Sequence, residues 1–186
     1  MISLRPCESN ERATVEAACR GEADALAGLY ERYYATMVWI AYSVLLDRSL
    51  AEDAAQQAFA TAYSKIRGLR RLDRFGPWLT TICRNTAQDM ARARRREAAL
   101  QKRAVSETRM ASGSDGFDNA VKEAVDSLPV MYREVVVLHY YSGMSYQEIE
   151  SAVGISCDTV KGRLARARKQ IQVHLEQEGF RQEQQV

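Results

Sequence analysis

The chain has 186 residues, with 26 Lys and Arg against 24 Asp and Glu, two His and four Cys. A composition of 46% hydrophobic and 27% charged residues suits one or two globular domains and excludes a wholly disordered chain. The longest uncharged stretch, Tyr33 to Leu46, is too short to span a membrane. The first residues lack a signal-peptide core, so we expect a cytoplasmic protein without membrane insertion.

The first half of the chain has the periodicity of amphipathic helices. Residues 1–20 show little periodicity at their start, and we interpret them as an N-terminal extension that is partly mobile. Apolar residues then recur at steps of three and four over residues 26–45, which predicts one long helix. Ser49 and Glu52 have the spacing of a capping box, so a second helix is expected to begin there and to end near Ile66.

A third helix is predicted after a short basic segment, residues 67–76. Pro77 is suited to the first turn of this helix, where the missing N–H costs nothing. The helix is expected to end in an arginine-rich run, residues 92–96. Its predicted buried residues are Leu79, Ile82, Thr86 and Met90.

The chain loses its periodicity and gathers Ser and Gly after this run, which is typical of a linker. No segment has the alternation of a strand. The sequence therefore predicts an all-α protein, with two small helical domains joined by a flexible linker. The predicted domains are residues 21–100 and 118–178, with a linker at 101–117 and a polar tail at 179–186.

The second domain is predicted to begin with a helix that is followed by a helix-turn-helix. Leu128 and Pro129 predict a helix start, with Met131, Val135 and Leu138 along one face. The helix-turn-helix follows in residues 145–168. The positions expected to face its core are Ile149, Val153, Ile155, Val160 and Leu164.

Local signals mark the two helices of this motif. Ser145 and Glu148 form a capping box, Gly154 is suited to a left-handed turn, and Ser156 is suited to cap the last helix. That last helix carries five cations against one acid, which favours DNA binding over a helical hairpin with a solvated basic face. Glu150 departs from the motif, because a small residue is usual where the helices cross. We expect its stem to point outward or the helices to pack slightly apart.

The cysteines and histidines predict no catalytic or metal site. Cys7, Cys19, Cys83 and Cys157 form no Cys-x-x-Cys pair and have no His at zinc-ligand spacing. We expect reduced, inert thiols, although direct sensing of oxidants by an exposed cysteine stays open. The two histidines stand alone, and no phosphate-binding loop is present. We therefore expect no cofactor.

Two groups of motifs occur in order across the linker. The first group is Leu50-Ala-Glu-Asp-Ala-Ala-Gln-Gln-Ala-Phe59 followed by Arg74-Phe-Gly-Pro-Trp78. The second is Leu128-Pro-Val-Met-Tyr-Arg133 followed by Thr159-Val-Lys-Gly-Arg-Leu-Ala-Arg-Ala-Arg168. Over about residues 20–178 the chain resembles a bacterial RNA polymerase sigma factor of the extracytoplasmic-function type, in the sigma-70 family. The two domains resemble sigma regions 2 and 4.

The resemblance implies a binding protein rather than an enzyme. Its partners would be core RNA polymerase, through the β′ clamp helices and the β flap, together with promoter DNA and an anti-sigma factor. The implied core-polymerase contacts are Asp53, Gln56, Gln57 and Phe59, of which Phe59 is equally well explained as a core residue. The implied contacts to the −10 element are Arg71, Arg74, Arg84, Asn85, Arg92 and Arg95. The implied contacts to the −35 element are Ser156, Thr159, Lys161, Arg163, Arg166, Arg168 and Lys169.

Two other classes of protein agree less well with the sequence. A stand-alone helix-turn-helix regulator would use the first domain for dimerisation and bind a palindromic duplex without polymerase. That reading gives no purpose to the glutamine-rich face near residue 56 or to the basic segment before Pro77. An enzyme would need a constellation of reactive groups that the sequence does not contain.

Overall fold

The computed structural model describes residues 8–101 and 116–180, and all regular structure in these ranges is helical. The all-α prediction is thereby confirmed for them. The helices of the N-terminal unit, residues 8–101, are α1 (Glu8–Arg20), α2 (Ala23–Leu45), α3 (Arg48–Lys65) and α4 (Phe75–Gln101). Those of the C-terminal unit, residues 116–180, are α5 (Gly116–Ser127), α6 (Val130–Val136), α7 (Tyr146–Val153) and α8 (Cys157–Gln177). Most of the predicted linker and tail lie outside the described residues.

Helices α2, α3 and α4 pack against one another around a core of small and aromatic side chains. The buried face of α3 is alanine-rich, which allows the neighbouring helices to approach closely. Phe59 fills the space between α3 and α2, with its ring centroid 4.8 Å from that of Tyr30. Phe75 occupies the start of α4 and contacts Tyr33 edge-on.

Residues 8–20 form a helix that the sequence analysis missed. Val15 and Ala18 of α1 are buried against the N-terminal unit. The thiol of Cys19 donates a hydrogen bond to the carbonyl of Ile66, 3.3 Å away. Glu11 accepts a hydrogen bond from Tyr33. Helix α1 therefore supports the basic segment that precedes α4, and residues 8–20 of the extension that was interpreted as partly mobile form a packed helix.

Two details of the helix predictions are corrected by the structure. Asp47, rather than Ser49, caps α3, because its carboxylate accepts from the N–H of Leu50 and Glu52 instead pairs with Arg48. In α4 Leu79 is buried as predicted, but beyond it the buried stripe is displaced by one position. The fully buried side chains are Phe75, Leu79, Thr80, Cys83 and Ala87, whereas Ile82, Thr86 and Met90 are only half-buried.

Helix α6 continues directly into a π-helical turn over Val137–Tyr141, which the sequence did not predict. The N–H of Ser142 reaches the carbonyl of Val137, 3.0 Å away, across five residues. Val135 and Leu138 are buried as expected, but Met131 is 46% exposed and does not join their face. Adjacent Tyr140 and Tyr141 are half exposed at the end of the turn.

The two units pack directly against each other. Helices α2 and α4 contact α6, the π-helical turn and α7, and the buried apolar residues of both units form one continuous cluster. The indole of Trp39 lies 5.8 Å from the ring of Tyr141 across this contact. The sequence predicted the two units but not that they would share a buried interface.

Candidate nucleic-acid interfaces

The helix-turn-helix comprises α7, a three-residue turn and α8. Ser145 and Glu148 form the predicted capping box, with the Ser145 N–H 2.8 Å from a Glu148 carboxylate oxygen. Gly154 has a φ of 78°, so the turn uses the left-handed region that favours glycine. The hydroxyl of Ser156 accepts from the N–H of Thr159, 3.3 Å away, and caps α8. Local capping thus fixes where both helices begin.

The basic face of α8 points to solvent. Val160, Leu164 and Ala167 are buried, which turns the intervening positions outward. Within the described residues, none of the cations of Arg163, Arg166 and Lys169 forms an ion pair. These cations are available to a polyanion.

Two other predicted residues of α8 make local contacts. Lys161 lies 3.5 Å from a carboxylate oxygen of Asp158. The guanidinium of Arg168 donates to the hydroxyl of Tyr140, 2.8 Å away, and lies over its ring. Both cations are exposed, so these weak surface contacts leave their positive charge accessible.

Glu150 points outward, which is one of the two outcomes expected for this position. Its carboxylate accepts a hydrogen bond from the thiol of Cys157, with the sulfur and oxygen 2.8 Å apart. This hydrogen bond and the nearby negative charge raise the pKa of the Cys157 thiol. Burial raises the pKa of the Cys83 thiol to about 12. Both shifts disfavour the reactive thiolate.

The basic segment before α4 contains two short 3₁₀ turns, Ile66–Gly68 and Leu72–Arg74. Arg71 pairs with Asp73 at 2.8 Å, and Arg74 is exposed. Asn85 is exposed ten residues into α4, and it lines a groove of mixed polarity between α3 and α4. The groove is also lined by Gln57, Thr61, Lys65, Asp89 and Met90.

Arg84 does not point to solvent with the other predicted −10 residues. Its Nη2 lies 2.7 Å from a carboxylate oxygen of Glu134 in the C-terminal unit, and its Nε lies 3.2 Å from the same oxygen. The Glu134 side chain is only 3% exposed. In this arrangement the Arg84 guanidinium is engaged in the contact between the units, and its role at the −10 element stays a prediction.

The arginine-rich run of α4 is exposed along its length. Arg92 pairs with Asp89 at 2.7 Å, and Arg94 approaches Asp47 at 3.5 Å. Arg95 is exposed and forms no ion pair with any described residue. This run presents a row of positive charges to solvent, which suits contacts to phosphates.

Three of the four residues predicted to contact core polymerase lie on the surface of α3. Asp53, Gln56 and Gln57 are exposed. Phe59 is 1% exposed and packs among the rings of the core. Its side chain therefore acts as a core residue and offers no surface to a partner, the alternative left open by the sequence.

The C-terminal unit also carries an apolar groove of about 810 Å³ that sequence reasoning missed. It lies between α5, the π-helical turn and α8, and its walls include Val125, Val136, Tyr140, Ile171 and Leu175. The only sequence signal was the adjacent tyrosine pair in a segment expected to be amphipathic. A groove of this shape suits the apolar face of a helix.

Within residues 8–101 and 116–180 no cluster of three or more His, Cys, Asp or Glu is arranged to hold a metal ion. His139 contacts the carbonyl of Met144 through Nδ1, at 2.8 Å. No helix in the same ranges is long and apolar enough to cross a membrane.

Comparison with known proteins gives matches to both units. Residues 29–97 match the family model for sigma-70 region 2, and residues 118–171 match that for sigma-70 region 4. The RNA polymerase sigma factor CarQ of Myxococcus xanthus is 33% identical over 143 residues, which are 73% of this chain and 80% of CarQ. The ECF RNA polymerase sigma factor SigW of Bacillus subtilis is 28% identical over 171 residues, covering 84% of this chain and 91% of SigW.

A solved structure shares the fold. It is the sigma factor RpoE in complex with the anti-sigma factor NepR from Bartonella quintana, with a TM-score of 0.56 and 25% identity. The match covers 81% of this chain and 96% of the other. The chain belongs to the sigma-70 family of RNA polymerase sigma factors. Its similarity to SigW assigns it to the extracytoplasmic-function (ECF) type.

Proposed function

We propose that this protein directs core RNA polymerase to promoters that carry a −10 and a −35 element. The observation that carries the proposal is the basic, solvent-facing side of α8, the second helix of a well-capped helix-turn-helix. The same chain contains a unit that matches sigma-70 region 2. The protein would act as a binding factor in transcription initiation rather than as a catalyst. It would work in the cytoplasm, where RNA polymerase works.

The −35 element would be read by α8 in the major groove. Lys161, Arg163 and Arg166 would lie closest to the base edges, since guanidinium groups can donate two hydrogen bonds to guanine. Arg168 and Lys169 would neutralise phosphates. Ser156 and Thr159 support this role indirectly, because their mutual hydrogen bonds hold the N-terminus of α8 in place.

The −10 element would be read as a single strand by the segment before α4 and by the first turns of that helix. The exposed amide of Asn85 has both donors and an acceptor for an unstacked base. Arg71 and Arg74 would contact the strand beside it. Arg92 and Arg95 would hold phosphates further along α4. Arg84 would join this set only after its ion pair with Glu134 has opened.

Core polymerase would bind the exposed face of α3 through Asp53, Gln56 and Gln57. The apolar groove beside α8 would receive a helix, either from the β flap of polymerase or from an anti-sigma factor. The complex of RpoE with an anti-sigma factor supports regulation of this kind. The exposed Tyr140 and the half-buried Ile171 supply the apolar surface that such a partner needs.

Run-off transcription with core RNA polymerase and a pool of genomic promoter fragments tests this function. The wild-type protein should give transcripts with defined start sites, and the alignment of those sites should reveal the two elements. The double substitution Gln56→Ala and Gln57→Ala should abolish them because the docking face is lost. Gln177→Ala, at an exposed glutamine outside α3, is the matched control and should transcribe normally.

The rival function predicts a different result. A stand-alone regulator would bind a palindromic duplex tightly without polymerase and would give no transcripts with core enzyme. That result would contradict the sigma-factor function.

A further inference from the structure

The Arg84 guanidinium has two alternative partners, the −10 strand of the proposed function and the Glu134 carboxylate. The proposed function needs its guanidinium at the −10 strand, yet both Nε and Nη2 contact the Glu134 carboxylate in the C-terminal unit. The Arg84 side chain is 28% exposed and that of Glu134 is 3% exposed, so the pair is largely shielded from water. A guanidinium held in this way cannot donate the same hydrogens to a nucleic acid.

Two hydrogen bonds between the units accompany the ion pair of Arg84 and Glu134. The hydroxyl of Thr80 donates to the carbonyl of Ala152 across the interface, at 2.5 Å. Arg133, the neighbour of Glu134, donates from Nη1 to the carbonyl of Ser43 at 2.7 Å. These polar contacts are paired with good geometry, as in a specific interface.

Two glycines allow the backbones to meet at this contact. A Cβ atom on Gly76 would lie 3.0 Å from the carbonyl oxygen of Ser151, and one on Gly154 would lie 3.0 Å from the Cβ of Pro77. The turn of the helix-turn-helix therefore sits directly on the first turn of α4. The C-terminal unit covers the beginning of the surface that would read the −10 strand.

We propose that Glu134 is an intramolecular competitor of the −10 strand for Arg84, so that the packed arrangement of the two units is self-inhibited. The inference rests on the proposed function, because it needs Arg84 to contact promoter DNA. Separation of the units frees the guanidinium and uncovers the first turn of α4. Binding of DNA to Arg84 and binding of Glu134 to Arg84 exclude each other, so each lowers the apparent affinity of the other.

Glu134→Gln tests the competition with little change in shape. The amide oxygen can still accept a hydrogen bond, but the negative charge that attracts Arg84 is removed. We expect this variant of the full chain to bind a single-stranded −10 oligonucleotide about fivefold more tightly, as a weakened charged hydrogen bond would allow. Fluorophores at Glu16 and Glu178, both exposed, should report a larger separated population.

A second variant keeps the test independent of the ion pair itself. Thr80→Val removes the hydrogen bond to Ala152 and leaves Arg84 and Glu134 intact. It should also increase the separated population and the oligonucleotide affinity. Glu123→Gln, at an exposed acid of α5, removes the same charge elsewhere in the C-terminal unit and should change neither quantity by more than about twofold.

Arg84→Ala in the Glu134→Gln background identifies the residue responsible. The gain in affinity should disappear although the units stay separated. Separation without tighter binding in Glu134→Gln, or no change in either quantity, would overturn the competition. If wild-type protein still supports run-off transcription in that case, only this inference fails. If it supports none, the proposed function fails and the inference fails with it.

Discussion

The two basic helices of the molecule differ in how their charges are used. In α8 Arg166 and Lys169 are exposed and Arg163 is half-buried, and none of the three cations forms an ion pair with described residues. In α4 the comparable cation Arg84 is held by a nearly buried carboxylate of the other unit. The face proposed to read the −35 element is therefore open to solvent, whereas the face proposed to read the −10 element is partly covered. Two helices with similar charge patterns thus differ in how accessible their cations are to a ligand.

Arg133 links backbone carbonyls of its own unit to α2 of the N-terminal unit, and its loss should have the largest effect. Its guanidinium donates to the carbonyls of Val125, Asp126, Leu128 and Ser43 while only 8% exposed. Arg133→Met leaves these buried acceptors unpaired, so we expect the free energy of unfolding to fall by about 3 kcal/mol. Urea denaturation measures it.

The conservative variant separates charge from geometry. Arg133→Lys keeps the cation but cannot reach four carbonyls, so an intermediate loss is expected. A loss below about 1 kcal/mol for Arg133→Met would contradict the stabilising role assigned to these four hydrogen bonds.

The open face of α8 is tested by Arg166→Ala. We expect the affinity of the free protein for a −35 duplex to fall by about tenfold, the size of one base or near-base contact. Fluorescence anisotropy at several salt concentrations measures both the affinity and the number of phosphates neutralised. Lys122→Ala, which removes a cation from α5, is the control and should leave the affinity within about twofold. Equal losses in both variants would mean that α8 contributes only general charge.

The helix-turn-helix could be predicted almost completely, because its signals are local. Ser145, Glu148, Gly154 and Ser156 each act on a backbone group within a few residues of themselves. The capping box predicted at Ser49 was wrong, because a second capping residue stands two positions earlier. The carboxylate of this residue, Asp47, accepts from the N–H of Leu50, so α3 begins before Ser49.

The partner of Arg84 could not be predicted, because Glu134 lies 50 residues away and belongs to the other unit. The apolar groove likewise depends on how α5 and α8 are placed by the π-helical turn. Helix α1 is a different case. Val15, Ala18 and Cys19 already have the spacing of a helical face, so the pattern was present but short. Its burial against Ile66 gives it a structural role.

The turn of the helix-turn-helix lies between α8 and the first turn of α4. The substitution Gly154→Ala tests the geometry of this turn. The left-handed φ penalises a Cβ by about 1 kcal/mol, and the new methyl group also meets Pro77. We expect the midpoint of thermal unfolding to fall. Gly162→Ala is the matched control, since a Cβ there meets nothing within 4 Å in the middle of α8. It should raise stability by up to about 1 kcal/mol. Similar effects of both substitutions would contradict the assigned turn geometry.

The smallest expected effect concerns Cys157. Glu150 raises the pKa of this thiol, so less thiolate is present at pH 8 than for an ordinary cysteine. Glu150→Gln should lower the pKa and speed alkylation of Cys157 a few-fold at pH 8, with the difference vanishing once pH exceeds both pKa values. Mass spectrometry of iodoacetamide-treated protein measures each cysteine separately. Cys83, with a pKa of about 12 and no exposure, is the internal reference and should be slowest in both proteins.

The π-helical turn at Val137–Tyr141 has a consequence for the neighbouring tyrosines. One additional residue per turn changes the direction in which successive side chains leave the axis. Tyr140 is thereby directed to Arg168 on α8, and Tyr141 to Trp39 in the N-terminal unit. One wall of the groove and one edge of the interface between the units are therefore adjacent along the backbone. A helical ligand that contacts Tyr140 in the groove would therefore bind one residue away from the contact between Tyr141 and Trp39.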